Sequence, residues 1–269
     1  RVQHILGRTR PQESIYGPQL TPATNCNTAQ LISYRFAIVE AAHLLSQRVH
    51  SDTVTKMAMK TVAAQLRAKL RLPAFGAPLF IVSNPDLCVA QCKSGVVGSF
   101  PALNARGSDD ALDKWITDVK SRLDPDKDAP FAVNQIVHRS NARLMKDMEV
   151  IVRHEVPIVI TSLGARPEIN DAVHSYGGLV FHDVINNKFA RKAVEKGADG
   201  LVLVAWGAGG HAGTLSPFPL ISEVREWWDG PVALSGAIGS GHAVAAAVGE
   251  SHDRHARRST RPSGAACGS

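Results

Sequence analysis

The stretch that decides the fold is Leu-Val-Leu-Val-Ala-Trp-Gly-Ala-Gly-Gly-His-Ala-Gly, residues 201–213. Its first five residues are an apolar run, which predicts a buried parallel strand. The glycines that follow let the backbone approach a ligand closely, and they carry one imidazole, His211, into that space. Ser216 and Pro217 then begin a predicted helix. A strand, a glycine loop with a histidine and a helix, in this order, are typical of a cofactor site in an α/β enzyme.

The same strand-then-helix pattern repeats from about residue 72 to residue 249. Short apolar runs predict seven strands that are covered on both faces: residues 79–82, 96–99, 131–137, 157–161, 179–184, 200–205 and 231–235. Repeated βα units imply a parallel sheet with right-handed crossovers, and seven in a row favour a barrel over an open sheet. We therefore predict an α/β fold, a TIM (β/α)8-type barrel with seven recognisable βα units, incomplete at its C-terminal end.

Helix signals lie between the predicted strands. Asn84 followed by Pro85 predicts the start of the first helix, and Gly95 predicts its end. Ser108 is the predicted N-cap of the next helix, which carries an apolar stripe with helical spacing. These signals support the alternation of strands and helices.

The two ends of the chain do not share this pattern. Residues 1–56 form a predicted irregular N-terminal extension, residues 57–248 the barrel, and residues 249–269 a basic tail. An eighth strand is expected where this tail begins. The tail is interpreted either as simple disorder or as the result of altered C-terminal coding, for instance by a frameshift, and the abrupt change after Val248 favours the second interpretation.

Composition excludes several classes of protein. The formal net charge is +6, but residues 57–248 hold 20 basic and 19 acidic side chains, so the predicted barrel has no charge signature for nucleic acid. No apolar run is long enough to span a membrane, and no secretory signal is recognisable, so we expect a cytoplasmic protein that binds no membrane. The four cysteines are not spaced as metal ligands, and no metal site is predicted.

Four short motifs lie at the first, third and seventh predicted strands and after the sixth. They are Pro78-Leu79-Phe80 with Ser83-Asn84-Pro85, Val133-Asn134, Ala208-Gly209-Gly210-His211, and Ser235-Gly236-Ala237-Ile238. With these motifs, residues 72–248 resemble the nitronate monooxygenase family, formerly called 2-nitropropane dioxygenases. The members are FMN-dependent (β/α)8 barrels related to the flavin-dependent enoyl-acyl-carrier-protein reductases. The Gly-Gly-His element is the most specific of the four motifs.

The resemblance implies roles for individual residues. His211 matches the catalytic histidine beside the flavin, and Asn134 matches a flavin contact. The remaining positions implied to bind FMN are Pro78 and Leu79 against the ring, His182 in the flavin pocket, and Gly209, Gly210, Gly236 and Gly239 near the phosphate end. Independently of the family, the glycine-rich turn that begins at Ser235 suits a phosphate, because bare backbone N–H groups and a following helix N-terminus favour an anion.

The function implied by the resemblance is FMN-dependent oxidation of nitronates or nitroalkanes, with molecular oxygen or a nicotinamide donor as the second reactant. Two alternatives stay open: a flavin-dependent NAD(P)H oxidoreductase that resembles the enoyl reductases, and a non-catalytic truncated barrel. The chain departs from the family in having no recognisable eighth strand and in having Ala237 where many members have glycine. The missing strand predicts a weakened phosphate site.

Overall fold

The computed structural model describes residues 64–210 and 212–252, and these residues form an α/β fold around one parallel sheet. The strands are β1 (Gly98–Pro101), β2 (Phe131–Ile136), β3 (Ile158–Ser162), β4 (Leu179–Val184), β5 (Gly200–Val204) and β6 (Val232–Ser235). They are arranged in sequence order, and every neighbouring pair is parallel. Six of the seven predicted strands are thus confirmed, with ends that differ by at most two residues.

Within the described residues, seven α-helices alternate with the strands, in addition to a helical stretch at residues 64–68 and a short 3₁₀ helix at Ala102–Asn104. They are α1 (Pro85–Ser94), α2 (Ala111–Arg122), α3 (Leu144–Arg153), α4 (Pro167–His174), α5 (Asn187–Glu195), α6 (Pro217–Arg225) and α7 (Gly241–His252). Helix α1 begins and ends as predicted: the Asn84 side chain accepts a hydrogen bond from the Leu87 N–H, and Gly95 ends the helix in the left-handed region. Ser108 is not the N-cap of α2, because its hydroxyl donates to Asp110, the residue that occupies the cap position.

The predicted strand at residues 79–82 is wrong. This segment is a loop, and the first parallel pairing lies earlier, as a single bridge between Phe75 and Val97. The Phe75 ring packs against Phe181 of β4, with 5.1 Å between ring centroids. Gly200 leaves room for the Phe181 ring, since a Cβ there would come within 2.4 Å of it. Two backbone hydrogen bonds, from Gly76 N–H to the Val97 carbonyl (2.7 Å) and from Val97 N–H to the Ala74 carbonyl (3.0 Å), hold the N-terminal segment against the sheet together with this aromatic packing.

The register gives the sheet two distinct faces. Val133, Val159 and Val180 are partners in adjacent strands, and they belong to a core cluster that includes apolar residues of α2, α3 and α4. Their chain neighbours Ala132, Ile158, Ile160 and Phe181 belong to a separate cluster on the opposite face. Successive side chains of a strand alternate between faces, so this second face is the inner face of the curved sheet.

The sheet curls into a half-barrel, which agrees with the predicted incomplete barrel of the TIM type. Within residues 64–210 and 212–252, β6 pairs only with β5, and β1 pairs only with β2 apart from the Phe75 bridge next to it. Helix α7 extends to His252, so the predicted boundary at residue 249 falls inside a helix. The predicted extension, residues 1–56, and the tail beyond residue 252 lie outside the described residues.

Candidate functional site

The inner face of the sheet opens at the carboxyl ends of the strands into a trough of about 1950 Å³. Ligand pockets usually have volumes of 300–1,000 Å³, roughly, so this trough is larger than one closed pocket and fits a barrel open on one side. It is bordered by Asn134, Ser162 and Asp183 from β2, β3 and β4, and by Ser235 at the end of β6. Parallel strands bring these residues to one edge, where barrel enzymes place their sites.

A hydrogen-bonded chain of three side chains crosses this edge. The Asn134 amide donates to the Ile160 carbonyl (3.0 Å) and to the Ser162 hydroxyl oxygen (2.7 Å). The Ser162 hydroxyl donates in turn to Oδ2 of Asp183 (2.6 Å). Because the Ser162 oxygen accepts a hydrogen bond from the Asn134 amide, the Ser162 hydroxyl proton is donated to the carboxylate. The chain therefore fixes the orientation of Asp183 at the wall of the trough.

Asp183 is an acid whose proton affinity is unusual for an aspartate. Burial raises its pKa from 3.8 to about 6, although the hydrogen bond from Ser162 acts in the opposite direction by favouring the charged form. Within the described part of the chain, Ser162 is the one residue that hydrogen-bonds to this carboxylate, and it uses Oδ2. Oδ1 is therefore left for a ligand. A carboxyl group with a pKa near 6 can accept or return a proton close to neutral pH.

His182, the neighbour of Asp183, points to the other face of β4. His182 borders the trough through its position on the strand. Its partners in register are Thr161 and Leu201. Leu201 packs among apolar residues of α5 and α6, so the His182 side chain lies on this helix-covered face. The ring is buried, and Nδ1 shares a hydrogen bond of 2.5 Å with the Thr161 hydroxyl. Burial, helped by the positive charge of Lys196, lowers the pKa of His182 to about 4. Its role in flavin binding stays a prediction.

Pro78 and Leu79 lie in the loop that precedes α1 and border the trough. Asn104 holds this loop: its amide donates to the carbonyls of Leu79 (3.0 Å) and Ser83 (2.8 Å), and its Oδ1 accepts from the Ile81 N–H (3.0 Å). Ile81 has a φ of 69°, which is strained for a β-branched residue. Such strain persists only where the surroundings over-determine the backbone, so the loop has a fixed shape.

The loops after β5 and β6 pack against each other at the opposite side of the trough. Gly236 has a φ of 144°, and a Cβ there would lie 3.0 Å from the Trp206 carbonyl oxygen. Gly207 faces Ala237, since a Cβ on Gly207 would lie 3.4 Å from the Ala237 Cβ. Ala237 itself has a φ of 54°, in the left-handed region that favours glycine. The replacement of glycine by alanine noted in the sequence therefore falls on a strained position.

Three of the glycines assigned to the cofactor face open space. A Cβ built on Gly209, Gly210 or Gly239 would meet no atom within 4 Å, and all three glycines border the trough. Helix α7 begins at Gly241 directly after this loop, so its first backbone N–H groups lie at the same end of the sheet. Bare glycine backbone beside a helix N-terminus is suited to a phosphate.

Nine of the ten sequence-predicted site residues border the trough, although the His182 ring points to the opposite face of β4. Pro78, Leu79, Asn134, His182, Gly209, Gly210, Ser235, Gly236 and Gly239 all border the trough. The exception is His211, the predicted catalytic residue, which lies outside the described residues. Whether these residues bind a cofactor stays a prediction.

Asp183, Ser162 and Asn104 are site residues that the sequence did not predict. Period-two alternation in a strand puts Asp183 on the face opposite His182, but the sequence alone does not say which face is the inner one. Asn104 lies in the short 3₁₀ helix Ala102–Asn104, far in sequence from the loop that it holds.

The described ranges contain neither a metal-binding cluster nor a helix suited to a membrane. Residues 64–210 and 212–252 contain no group of three or more His, Cys, Asp or Glu side chains that could hold a metal ion. In the same ranges, no helix combines the length and the apolar character needed to cross a bilayer.

Comparison with known proteins gives distant relatives. No family model matches the chain. The enzyme (3aS,4S,5R,7aS)-5-hydroxy-7a-methyl-1-oxo-octahydro-1H-indene-4-carboxyl-CoA dehydrogenase of Rhodococcus jostii (strain RHA1) is 26% identical over 167 residues, 62% of this chain and 45% of the relative. The dehydrogenase of the same name from Mycobacterium tuberculosis (strain ATCC 25618 / H37Rv) is 28% identical over 170 residues, 62% of this chain and 46% of the relative. The chain thus spans less than half the length of these curated relatives.

Solved structures with the same fold include FabK and a nitroalkane oxidase. FabK from Thermotoga maritima superposes with a TM-score of 0.61 at 24% identity, over 68% of this chain and 56% of FabK. Nitroalkane oxidase from Streptomyces ansochromogenes superposes with a TM-score of 0.60 at 22% identity, over 70% of this chain and 65% of the oxidase. These likenesses establish the fold of the described region.

Proposed function

We propose that the chain is the barrel region of a flavin-dependent oxidoreductase that binds FMN and oxidises nitronates or nitroalkanes. The observation that carries the proposal is the trough at the carboxyl edge of the sheet. There, an apolar loop held by Asn104, a row of polar side chains and two glycine-rich loops border one space. The solved nitroalkane oxidase with the same fold supports the choice of substrate class.

The residues present fit FMN. The glycine loops at Gly209–Gly210 and Gly236–Gly239 have open backbone next to the start of α7, and they would hold the phosphate. The Pro78–Leu79 loop offers an apolar surface for a flat ring, since Leu79 is 48% exposed on the wall of the trough. Asn134 offers its amide oxygen, because its hydrogen bonds to the Ile160 carbonyl and to Ser162 both use the nitrogen. When bound, FMN supplies the two-electron redox chemistry that side chains lack.

His211 is assigned to substrate by the same proposal. A nitronate is an anion, and an imidazole that carries a proton can hold it near the flavin ring. Molecular oxygen is the second reactant, because oxidation of a nitronate needs an electron acceptor, whereas a nicotinamide donor belongs to the alternative reductase function. Replacement of His211 by alanine is expected to lower turnover by roughly 10²–10⁴-fold, with flavin content unchanged.

The curated relatives favour a second candidate, an oxidoreductase acting on a carboxyl-CoA thioester. Both relatives are named carboxyl-CoA dehydrogenases, and their matched regions cover 62% of this chain. Nitroalkanes and thioesters share one chemical property: each has an acidic C–H bond next to an electron-withdrawing group. The two candidates therefore place the same demand on the site, a group that can take or return a proton at that carbon.

Anaerobic reduction of the bound flavin separates the candidates. The full chain is loaded with FMN and mixed in turn with ethyl nitronate, with NADH or NADPH, and with an acyl-CoA, while the visible flavin band is followed. Loss of the band with the nitronate is expected. Loss with the nicotinamide or with the acyl-CoA alone would replace the nitronate proposal with the second candidate, and a chain that takes up no flavin would contradict both.

A further inference from the structure

The residue that the functional assignment leaves unused is Asp183. Its carboxyl group lies on the inner face of β4, in line with Ile160 and Phe181 of the inner cluster, and it borders the trough at the carboxyl edge. None of the roles given to the glycine loops, to Asn134 or to His211 requires a carboxylate at this place.

We propose that Asp183 is the group that takes the α-proton from a carbon-acid substrate in the trough, with Ser162 and Asn134 as positioning residues that hold its carboxylate. The inference rests on the proposed function for the identity of the substrate, a nitroalkane or another compound with an acidic C–H bond. It does not require His211 to act as the base.

The geometry gives the two carboxylate oxygens different tasks. Oδ2 accepts the Ser162 hydroxyl at 2.6 Å, and Ser162 is itself held by the Asn134 amide at 2.7 Å. Oδ1 accepts no hydrogen bond from the described residues, so it is the oxygen that can approach a substrate. A base that is oriented before the substrate arrives loses little freedom in the reaction.

The proton transfer balances within the site. The C–H bond of the substrate breaks, its electron pair stays on the carbon and delocalises into the nitro group, and the proton forms an O–H bond with Oδ1 of Asp183. One negative charge moves from the carboxylate to the substrate, so the number of buried charges does not change. The neutral acid then donates a hydrogen bond to the anion that it has produced, which stabilises that anion.

The surroundings keep Asp183 in a suitable range of acidity. Among the described residues, the other titratable groups that border the trough are Arg67, His138, Lys192, Lys196, Arg225 and Asp229, and His182 lies behind the strand. Burial and the Ser162 hydrogen bond, rather than a charge from one of these groups, set the pKa of about 6. A base with this pKa is ionised at neutral pH and still basic enough to take a proton.

Exchange of the substrate proton with solvent tests the inference directly. Nitroethane is incubated anaerobically in D2O with the full chain, and the loss of its α-proton signal is followed by proton NMR, relative to the rate without protein. Exchange requires the base alone, so it can be measured with and without FMN. Replacement of Asp183 by asparagine is expected to lower the protein-dependent rate by roughly 10²–10⁴-fold. The exposed Asp171, replaced by asparagine, is the matched control and should keep the original rate.

The positioning residues have a readout of their own. Ser162→Ala removes the hydrogen bond that favours the ionised carboxylate, so the midpoint of the exchange rate against pH should shift upward, and Ser162→Thr should restore it. A merely structural defect would lower the rate without moving this midpoint.

The unsubstituted chain provides a test that does not depend on the folding of a variant. The pH midpoint of exchange should coincide with the titration of the Asp183 carboxyl group followed by carbon NMR. Different midpoints would overturn the inference. A chain that does not accelerate exchange would also overturn the inference. The same conclusion would follow if Asp183→Asn kept the original exchange rate while His211→Ala lost the exchange. Exchange that depends on Asp183 in a chain that binds no flavin would support the inference and contradict the proposed function.

Discussion

Asp183 and His182 are adjacent in β4, face opposite sides of the sheet, and should change stability with pH in opposite directions. The pKa of Asp183 is raised from 3.8 to about 6 in the folded chain, so the folded state holds more protons than the unfolded state between these values. The contribution of Asp183 to the free energy of unfolding is therefore present below pH 3.8 and is lost as the pH rises through 6. The pKa of His182 is lowered from 6.5 to about 4, so its contribution is present above pH 6.5 and is lost as the pH falls through 4.

Each residue alone changes the free energy of unfolding by about 3 kcal/mol across this window, since one pKa unit corresponds to about 1.4 kcal/mol. In the unsubstituted chain the two effects nearly cancel. In Asp183→Asn only the effect of His182 remains. Between pH 4 and pH 6.5 the free energy of unfolding of this variant should therefore rise by about 3 kcal/mol more than that of the parent chain. His182→Asn keeps a polar partner for Thr161, and its stability should fall by a similar amount over the same window.

Urea unfolding at several pH values between 4 and 7 measures these differences. The quantity to compare is the free energy of unfolding of each variant minus that of the parent chain, because other carboxylates with lowered pKa values, such as Asp113 and Asp124, affect all proteins alike at low pH. Curves for Asp183→Asn and His182→Asn that run parallel to the parent curve would refute the burial and orientation assigned to both residues.

The loops at the edge of the trough give three further predictions. Ala237→Gly should raise the free energy of unfolding by about 1 kcal/mol in thermal or urea unfolding, because it relieves a left-handed residue, and an unchanged or lower value would contradict the assigned backbone. Asn104→Ala should weaken FMN binding about tenfold and speed hydrogen exchange at the Ile81 amide, because three hydrogen bonds that hold the loop are lost; normal exchange would show that the loop is held by other contacts. Gly236→Ala should destabilise the chain by about 1–3 kcal/mol in urea unfolding, because φ is 144° and a Cβ would approach the Trp206 carbonyl, whereas an alanine variant of full stability would exclude that approach.

The sequence predicted the architecture well where the apolar runs are continuous. The strands from β1 to β6 are each short, apolar and followed by helix signals, and such runs are recognisable without tertiary information. The segment at residues 79–82 has the same composition but forms a loop, because Asn104 satisfies its backbone groups from outside the sheet. Composition does not reveal a partner that lies 20 or more residues away.

The candidate site was predictable at its glycines and less so at its polar side chains. Glycines after a strand mark close backbone approaches, and Gly236 is such a position. The choice between His182 and Asp183 depended on which face of β4 is the inner one. That is decided by the pairing of Phe181 with Ile160 and by the helices packed against Val180, which are tertiary facts.

The most direct test of the central claim, a flavin phosphate site between the glycine loops and α7, is a comparison of FMN with riboflavin. Both ligands are titrated into the full chain, and binding is followed by the quenching of flavin fluorescence. Charge-assisted hydrogen bonds contribute about 1.5–3 kcal/mol each, so FMN should bind at least about tenfold more tightly than riboflavin. Equal affinities, or no binding of either ligand, would contradict the account.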